Sequence, residues 1–110
     1  MTIFQCGWPP PKLWPNARTK HRYTAKERNA QKLEWFGEAK AARAKGRTIA
    51  IVFNPPCARR RDLDNMLAAC KSGLDGLSQA MGIDDSEFTL TISRGAPDRP
   101  NGSVSVGVSP

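Results

Sequence analysis

Hydrophobic and polar positions alternate in a few short, well-separated stretches. Phe88, Leu90 and Ile92 are interleaved with Thr89 and Thr91, and Val104, Val106 and Val108 repeat the spacing, so two strands with one buried face are expected there. Thr48 to Phe53 is a continuous apolar run, the mark of a central strand buried on both faces, and Asn54-Pro55-Pro56 closes it. Thr2 to Trp8 reads as a short first strand ended by Pro9-Pro10-Pro11. Two helical stretches lie between. Thr24-Ala25-Lys26-Glu27 fits a capping box, opening a helix that runs to about Lys45, with Gly46 as its stop and Leu33, Trp35 and Phe36 as its large apolar residues. From about Asp64 to Met81, Met66, Leu67, Cys70, Leu74, Leu77 and Met81 share one arc of about 100° at helical spacing. On that unbroken helix Lys71 stands two turns beyond Asp64, in a neighbouring arc that also holds Asp75. Residues 94–102, rich in Gly, Pro and Arg, read as a mobile hairpin loop. The predicted order is β-α-β-α-β-β: a single small α/β domain over residues 1–110, with two helices on one face of a mixed sheet.

Composition changes this picture little. At 110 residues with 39% hydrophobic and 25% charged content, the chain has the makings of one folded domain. No apolar stretch approaches the roughly 20 residues of a membrane span. Met1 to Trp8 is too short for a signal peptide and meets prolines at once, so a cytoplasmic protein is expected. Cys6, Cys57 and Cys70 are odd in number and far apart, which argues for free thiols rather than disulfides or a zinc site. The single His21 excludes a histidine-rich metal centre.

Charge changes it more. Residues 1–61 hold 14 Lys/Arg against 3 Glu, a balance of +11, while residues 62–110 hold 3 Lys/Arg against 7 Asp/Glu, a balance of −4. A basic surface for a polyanion beside a separate acidic centre follows from that asymmetry. The acidic centre is the run Arg59-Arg60-Arg61-Asp62-Leu63-Asp64-Asn65, followed some twenty residues later by Asp84-Asp85. Carboxylates so placed suit a hard divalent cation, which prefers oxygen ligands and keeps positions open for phosphate and water.

These residues resemble a known family, the RusA-type Holliday junction resolvases of bacteriophages and prophages. The resemblance rests on Arg60-Arg61-Asp62-Leu63-Asp64-Asn65, on a helix bearing Lys71 and Leu74-Asp75-Gly76-Leu77, and on Asp84-Asp85 before a strand. Trp8-Pro9-Pro10 and Pro15-Asn16-Ala17-Arg18 also look like the family's opening region. It implies a Mg²⁺-dependent endodeoxyribonuclease, with Mn²⁺ as a substitute and no small-molecule cofactor. Such an enzyme cuts four-way DNA junctions by paired symmetric nicks, as a homodimer in the bacterial host cell. The family's essential carboxylates fall on Asp62, Asp64 and Asp85, as catalytic residues and metal ligands, and its catalytic lysine on Lys71. In the shortest family pattern that lysine lies one turn earlier, where this chain has Ala68. DNA contacts fall on Arg59, Arg60, Arg61 and Asn65, with Asn16, Arg18, Lys20, Arg22 and Trp14 beside them.

Plainer readings exist for each residue alone. Asp62 or Asp64 can cap a helix, Asp84 can hold a turn, and Lys71 can pair with Asp75 at i,i+4. Trp14 suits base stacking and sheet packing equally, whereas Trp8 and Trp35 suit a core. Two other functions fit the pattern: a non-catalytic basic nucleic-acid-binding module, and a metal nuclease acting on another branched DNA.

Overall fold

Phe4 and Cys6, Ile49, Ile51 and Phe53, and Val104, Val106 and Val108 occupy alternate strand positions and all are buried. They form the inner face of a four-stranded sheet in the computed structural model, which describes residues 1–17 and 23–110. The strands are β1 (Thr2–Gly7), β2 (Thr48–Asn54), β3 (Thr89–Arg94) and β4 (Ser103–Ser109), in the order β1-β4-β2-β3. β4 runs antiparallel to both neighbours, and β2 and β3 are parallel. The helices α1 (Ala25–Ala41), α2 (Leu63–Ala69) and α3 (Lys71–Met81) complete the α/β domain, with single 3-10 turns at Pro11–Leu13 and Asp85–Glu87. Among the described residues, no helix is long and apolar enough to cross a membrane.

Four local expectations need correction. The helix expected over 64–81 is two helices, broken at Cys70, whose φ of −105° and ψ of 12° leave the helical region. Gln31 of α1 supports the break, its Nε2 donating to the Ala69 carbonyl and its Oε1 accepting from Gly73 N–H, each at 2.9 Å. A break in a buried helix leaves backbone groups that must find partners, and this one side chain satisfies a group on either side. The angular reckoning that placed Lys71 above Asp64 therefore does not carry across Cys70.

The first helix starts at the expected place but ends at Ala41, and Arg43 takes a left-handed φ of 55°. Thr24 stands at its N-cap, where its hydroxyl accepts from Arg28 Nε instead of capping, and Glu27 pairs with Lys12 at 3.4 Å. Its buried face is Gln31, Trp35 and Ala39, spaced by four, while Leu33 is 70% exposed. The central strand β2 is buried on one face only; Ala50 and Val52 on the other are half-buried.

Residues 95–102 do not form a hairpin, since β3 and β4 are not neighbours and β2 separates them. The segment crosses the end of β2 and is fastened there: Gly95 N–H donates to Phe53 O, Asp98 N–H to Pro55 O, and Asn54 Nδ2 to Ala96 O. That crossing lays β3's last residue, Arg94, beside the segment that leads from β2 to α2.

Candidate nucleic-acid interface and acidic centre

Asp62 occupies the N-cap position of α2 with an extended backbone, yet its side chain makes no capping hydrogen bond. The exposed carboxylate instead faces a groove of about 600 Å³ lined also by Trp8, Trp14, Asn16, Asn65 and the three arginines 59–61. Six of the residues read from the sequence as DNA contacts thus share one groove with one of the expected carboxylates. Asp64, in the first turn of α2, is exposed and carries no capping bond either.

The aromatic wall is a tilted pair, Trp8 and Trp14, with ring centres 5.7 Å apart and planes at 39°. Trp14 Nε1 donates to the Pro9 carbonyl at 3.2 Å, which fixes its edge. Trp8, expected in the core, is only half-buried: one side packs against the core and the rest lines the groove. Proline rigidity at 9–11 holds the chain out of the sheet at this point, so both rings stand at the rim.

Arg61 is among the expected DNA contacts, but much of its guanidinium is engaged by its own segment. Nη1 donates to the carbonyls of Cys57 (3.2 Å) and Arg59 (2.9 Å), and Nη2 lies 3.3 Å from Cys57 Sγ. The group also sits over the Trp8 ring, 5.6 Å from its centre, in a cation–π contact. Arg61 therefore shapes the loop, whereas the exposed side chains of Arg59 and Arg60 have no protein hydrogen-bond partner among the described residues. The Arg61 hydrogen bond is also the main cause holding the Cys57 thiol below its ordinary pKa. Cys6 and Cys70 behave oppositely: burial pushes both up, Cys70 to about 12. All three thiols are free, as expected.

Lys71, the first residue of α3, lines a neighbouring depression with Ala68, Asp75, Arg28 and Trp14, so the Trp14 ring is the wall it shares with the Asp62 groove. Lys71 and Asp75 form no ion pair. Asp75 in turn borders a further depression with Lys32, Asp84 and Asp85. Shared lining residues link the three depressions: Trp14 belongs to those of Asp62 and Lys71, and Asp75 to those of Lys71 and Asp85, while Asp64 lines none of them. Among the described residues, no three His, Cys, Asp or Glu side chains are grouped closely enough to hold a metal ion. Mg²⁺ commonly takes only one or two carboxylates, with phosphate and water completing its shell; of the expected carboxylates Asp62 lines the arginine groove, while Asp64 is not part of that lining. Arg18, Lys20 and Arg22, and also His21, lie outside the described residues.

At the far end Asp84 accepts from Ser86 N–H at 3.1 Å and fixes the turn, the plainer role considered for it. That bond is the first cause lowering its pKa, while Asp85 is raised, chiefly by sharing a hydrogen bond with Asp84, with further repulsion from Asp84 and Asp75. Asp84→Asn removes the neighbouring charge and offers Asp85 an amide donor; both favour the ionised carboxylate. In metal-free protein the Asp85 carboxyl should then titrate at lower pH than in the wild type when followed by carbon-13 NMR. An unchanged Asp85 titration would show that the pair does not share its proton.

Two residues beside the arginine segment, Arg94 and Cys57, carry no sign of it in the sequence. Cys57 was read only as a spare thiol. Arg94 ends a strand with no local sign of function, and it reaches the arginine segment only through the parallel pairing of β3 with β2, which sets Phe53 opposite Arg94.

No family model matches the chain. It is similar to a protein of Xylella fastidiosa (strain Temecula1) described as uncharacterized, with 36% identity over 91 residues. The match covers 74% of this chain and 58% of that protein, so the chain spans little more than half the length of the curated relative it matches.

Proposed function

We propose that this chain is a RusA-type, Mg²⁺-dependent endodeoxyribonuclease that resolves four-way DNA junctions by paired symmetric nicks. In this reading it acts as a homodimer in the cytoplasm of a bacterial host, and two copies supply the two cuts that a symmetric junction requires. The observation that carries the proposal is the uncapped Asp62 carboxylate facing a groove whose other charged side chains are arginines. A structural carboxylate at an N-cap position would normally turn to its own helix; this one faces where a phosphate would lie.

Asp62 and Asp64 would hold Mg²⁺, or Mn²⁺ in its place, and the bound cation would supply charge neutralisation at phosphate and an acidified water. The chain's own groups do the rest. Arg59 and Arg60 draw the backbone into the groove, since arginine–phosphate contacts carry most sequence-independent affinity. Asn65 orients the strand by hydrogen bonding at the groove floor. The Trp8–Trp14 wall offers an apolar face for an unstacked base at the branch point, where stacking is worth about 1–3 kcal/mol per base. Lys71, past Trp14, presents a cation to charge developing on the phosphate oxygens. Asp85 is assigned to the same acidic set.

The placement of Asp85 beside Asp75, not beside Asp62, favours a second reading: a nucleic-acid-binding module without catalysis. One assay separates the two. A synthetic mobile four-way junction and a linear duplex of the same sequence are incubated with the protein in Mg²⁺, then in EDTA. Symmetric nicks confined to the junction and lost on chelation are expected. Tight junction binding with no strand cut in either Mg²⁺ or Mn²⁺ would sink the nuclease reading and leave the binding module.

A further inference from the structure

The arginine segment has two sides, and only one of them is the groove that holds Asp62. On the other side Arg59, Arg60 and Arg61 wall a second depression of about 380 Å³, closed by Arg94, Gly95 and Pro97. Among the described residues no carboxylate lines it, and none of these four arginines is ion-paired with Asp or Glu. Arginine side chains lining a concavity without a neighbouring carboxylate give it a positive potential that favours an anion.

Its geometry is held from the protein side. Arg94 Nη2 donates to the Arg61 carbonyl at 2.8 Å, tying the end of β3 to the arginine segment. The remaining Arg94 N–H groups, on Nε and Nη1 and the second on Nη2, have no protein acceptor among the described residues. A planar guanidinium with one edge anchored and another unused suits a phosphate oxygen pair. Cys57 also lines the depression, and its thiol is held below its ordinary pKa chiefly by the Arg61 hydrogen bond.

We propose that this Arg94 depression is a second phosphodiester-binding site, taking the nucleic-acid backbone on the side of the arginine segment opposite the Asp62 groove. Its occupant is a polynucleotide, because Arg59 and Arg60 wall both concavities and a continuous backbone passing over the segment meets each in turn. A branched substrate has two backbones diverging at one point, and two basic clefts that share a ridge match that shape. The site deepens the nuclease reading and rests on it for the identity of the polyanion, but it needs no catalysis.

The test is binding in EDTA, where no strand can be cut, using a fluorescein-labelled four-way junction and anisotropy across a salt series. Three proteins are compared: wild type, Arg94→Gln and Arg94→Lys. Gln loses the charge and is too short to reach the Arg61 carbonyl as Nη2 does; Lys keeps the charge and a longer N–H donor, and the salt slope separates lost charge from a lost clamp. Arg94→Gln should weaken binding about tenfold at low salt and reduce the slope of log K against log salt by about 0.9, the value for one lost phosphate contact, and Arg94→Lys should restore the slope. Wild-type slope and affinity in Arg94→Gln would overturn the site. Equal losses in Gln and Lys with an unchanged slope would also overturn it, showing a purely structural clamp. Stronger wild-type affinity for anionic lipid vesicles than for DNA in the same buffer would assign the arginines to a membrane surface and overturn it as well. Failure of cleavage in Mg²⁺ with the Arg94→Gln salt effect intact would remove the nuclease reading alone.

Discussion

Asp62→Asn should abolish Mg²⁺-dependent junction cleavage, by at least about a hundredfold given the several kcal/mol a metal supplies to phosphoryl chemistry, and leave junction binding as tight as wild type or tighter. The asymmetry follows from the groove. Asp62 is, among the described residues, the one acidic side chain in the groove with Arg59, Arg60 and Arg61, so neutralising it would remove the proposed metal ligand and raise the positive potential that attracts DNA. Folding should be unaffected, because the side chain is exposed and caps nothing. Asp64→Asn should behave alike. Asp85→Asn is the informative companion. A loss equal to that of Asp62→Asn would keep Asp85 in the metal set despite its place beside Asp75, whereas wild-type cleavage would remove it. Single-turnover cleavage and anisotropy on the same protein preparations read both effects. Binding lost together with cleavage in Asp62→Asn would contradict the reading, since it would make the carboxylate structural.

How far the site was legible in the sequence depends on how local its determinants are. Arg59 to Asn65 is one contiguous segment, and its approach to a helix start followed from the apolar spacing after it; the structure places α2 there. The single α/β domain and its inward valines and isoleucines were legible for the same reason, since alternation is a property of each strand alone. Partners supplied from a distance were not. The break at Cys70 depends on Gln31, which lies 38 residues from Ala69 and reads in isolation as an ordinary polar helix residue. The period of β4 was visible but not its pairing, because alternation says nothing about neighbours. β3, expected to bury Phe88, Leu90 and Ile92, is an edge strand with no buried residue, Leu90 being exposed and Ile92 half-buried. Arg94 became part of the site only through the pairing of β3 with β2. Leu33, one of the large apolar residues of α1, lies about 200° around the helix from buried Trp35 at 100° per residue, and it is exposed.

Gly76→Ala should destabilise the protein by about 2 kcal/mol or more, although alanine in a helix is ordinarily worth nearly 1 kcal/mol over glycine. A Cβ at this position would overlap the Lys32 carbonyl oxygen and crowd Phe36 N, so the obstacle is the backbone of α1, which has no rotamer to change. Gly73, three residues earlier on the same face of α3, meets the ring of the fully buried Trp35. The two glycines let α1 and α3 approach at backbone distance, and overpacking there must push the helices apart. Gly37→Ala is the control: that glycine has open space around its missing Cβ, so the substitution should stabilise by up to about 1 kcal/mol. Urea midpoints of the two variants should therefore move in opposite directions from wild type. Equal stabilisation of both would mean the helices separate freely. The consequence reaches the proposed site, because α3 begins at Lys71 and carries Asp75, while Thr24 and Arg28 at the start of α1 form the opposite wall of their depression. Displacing α3 from α1 therefore moves Lys71 away from the Trp14 rim, and Gly76→Ala protein that remains folded at low temperature should cleave junctions more slowly while binding them through Arg59 and Arg60 as before.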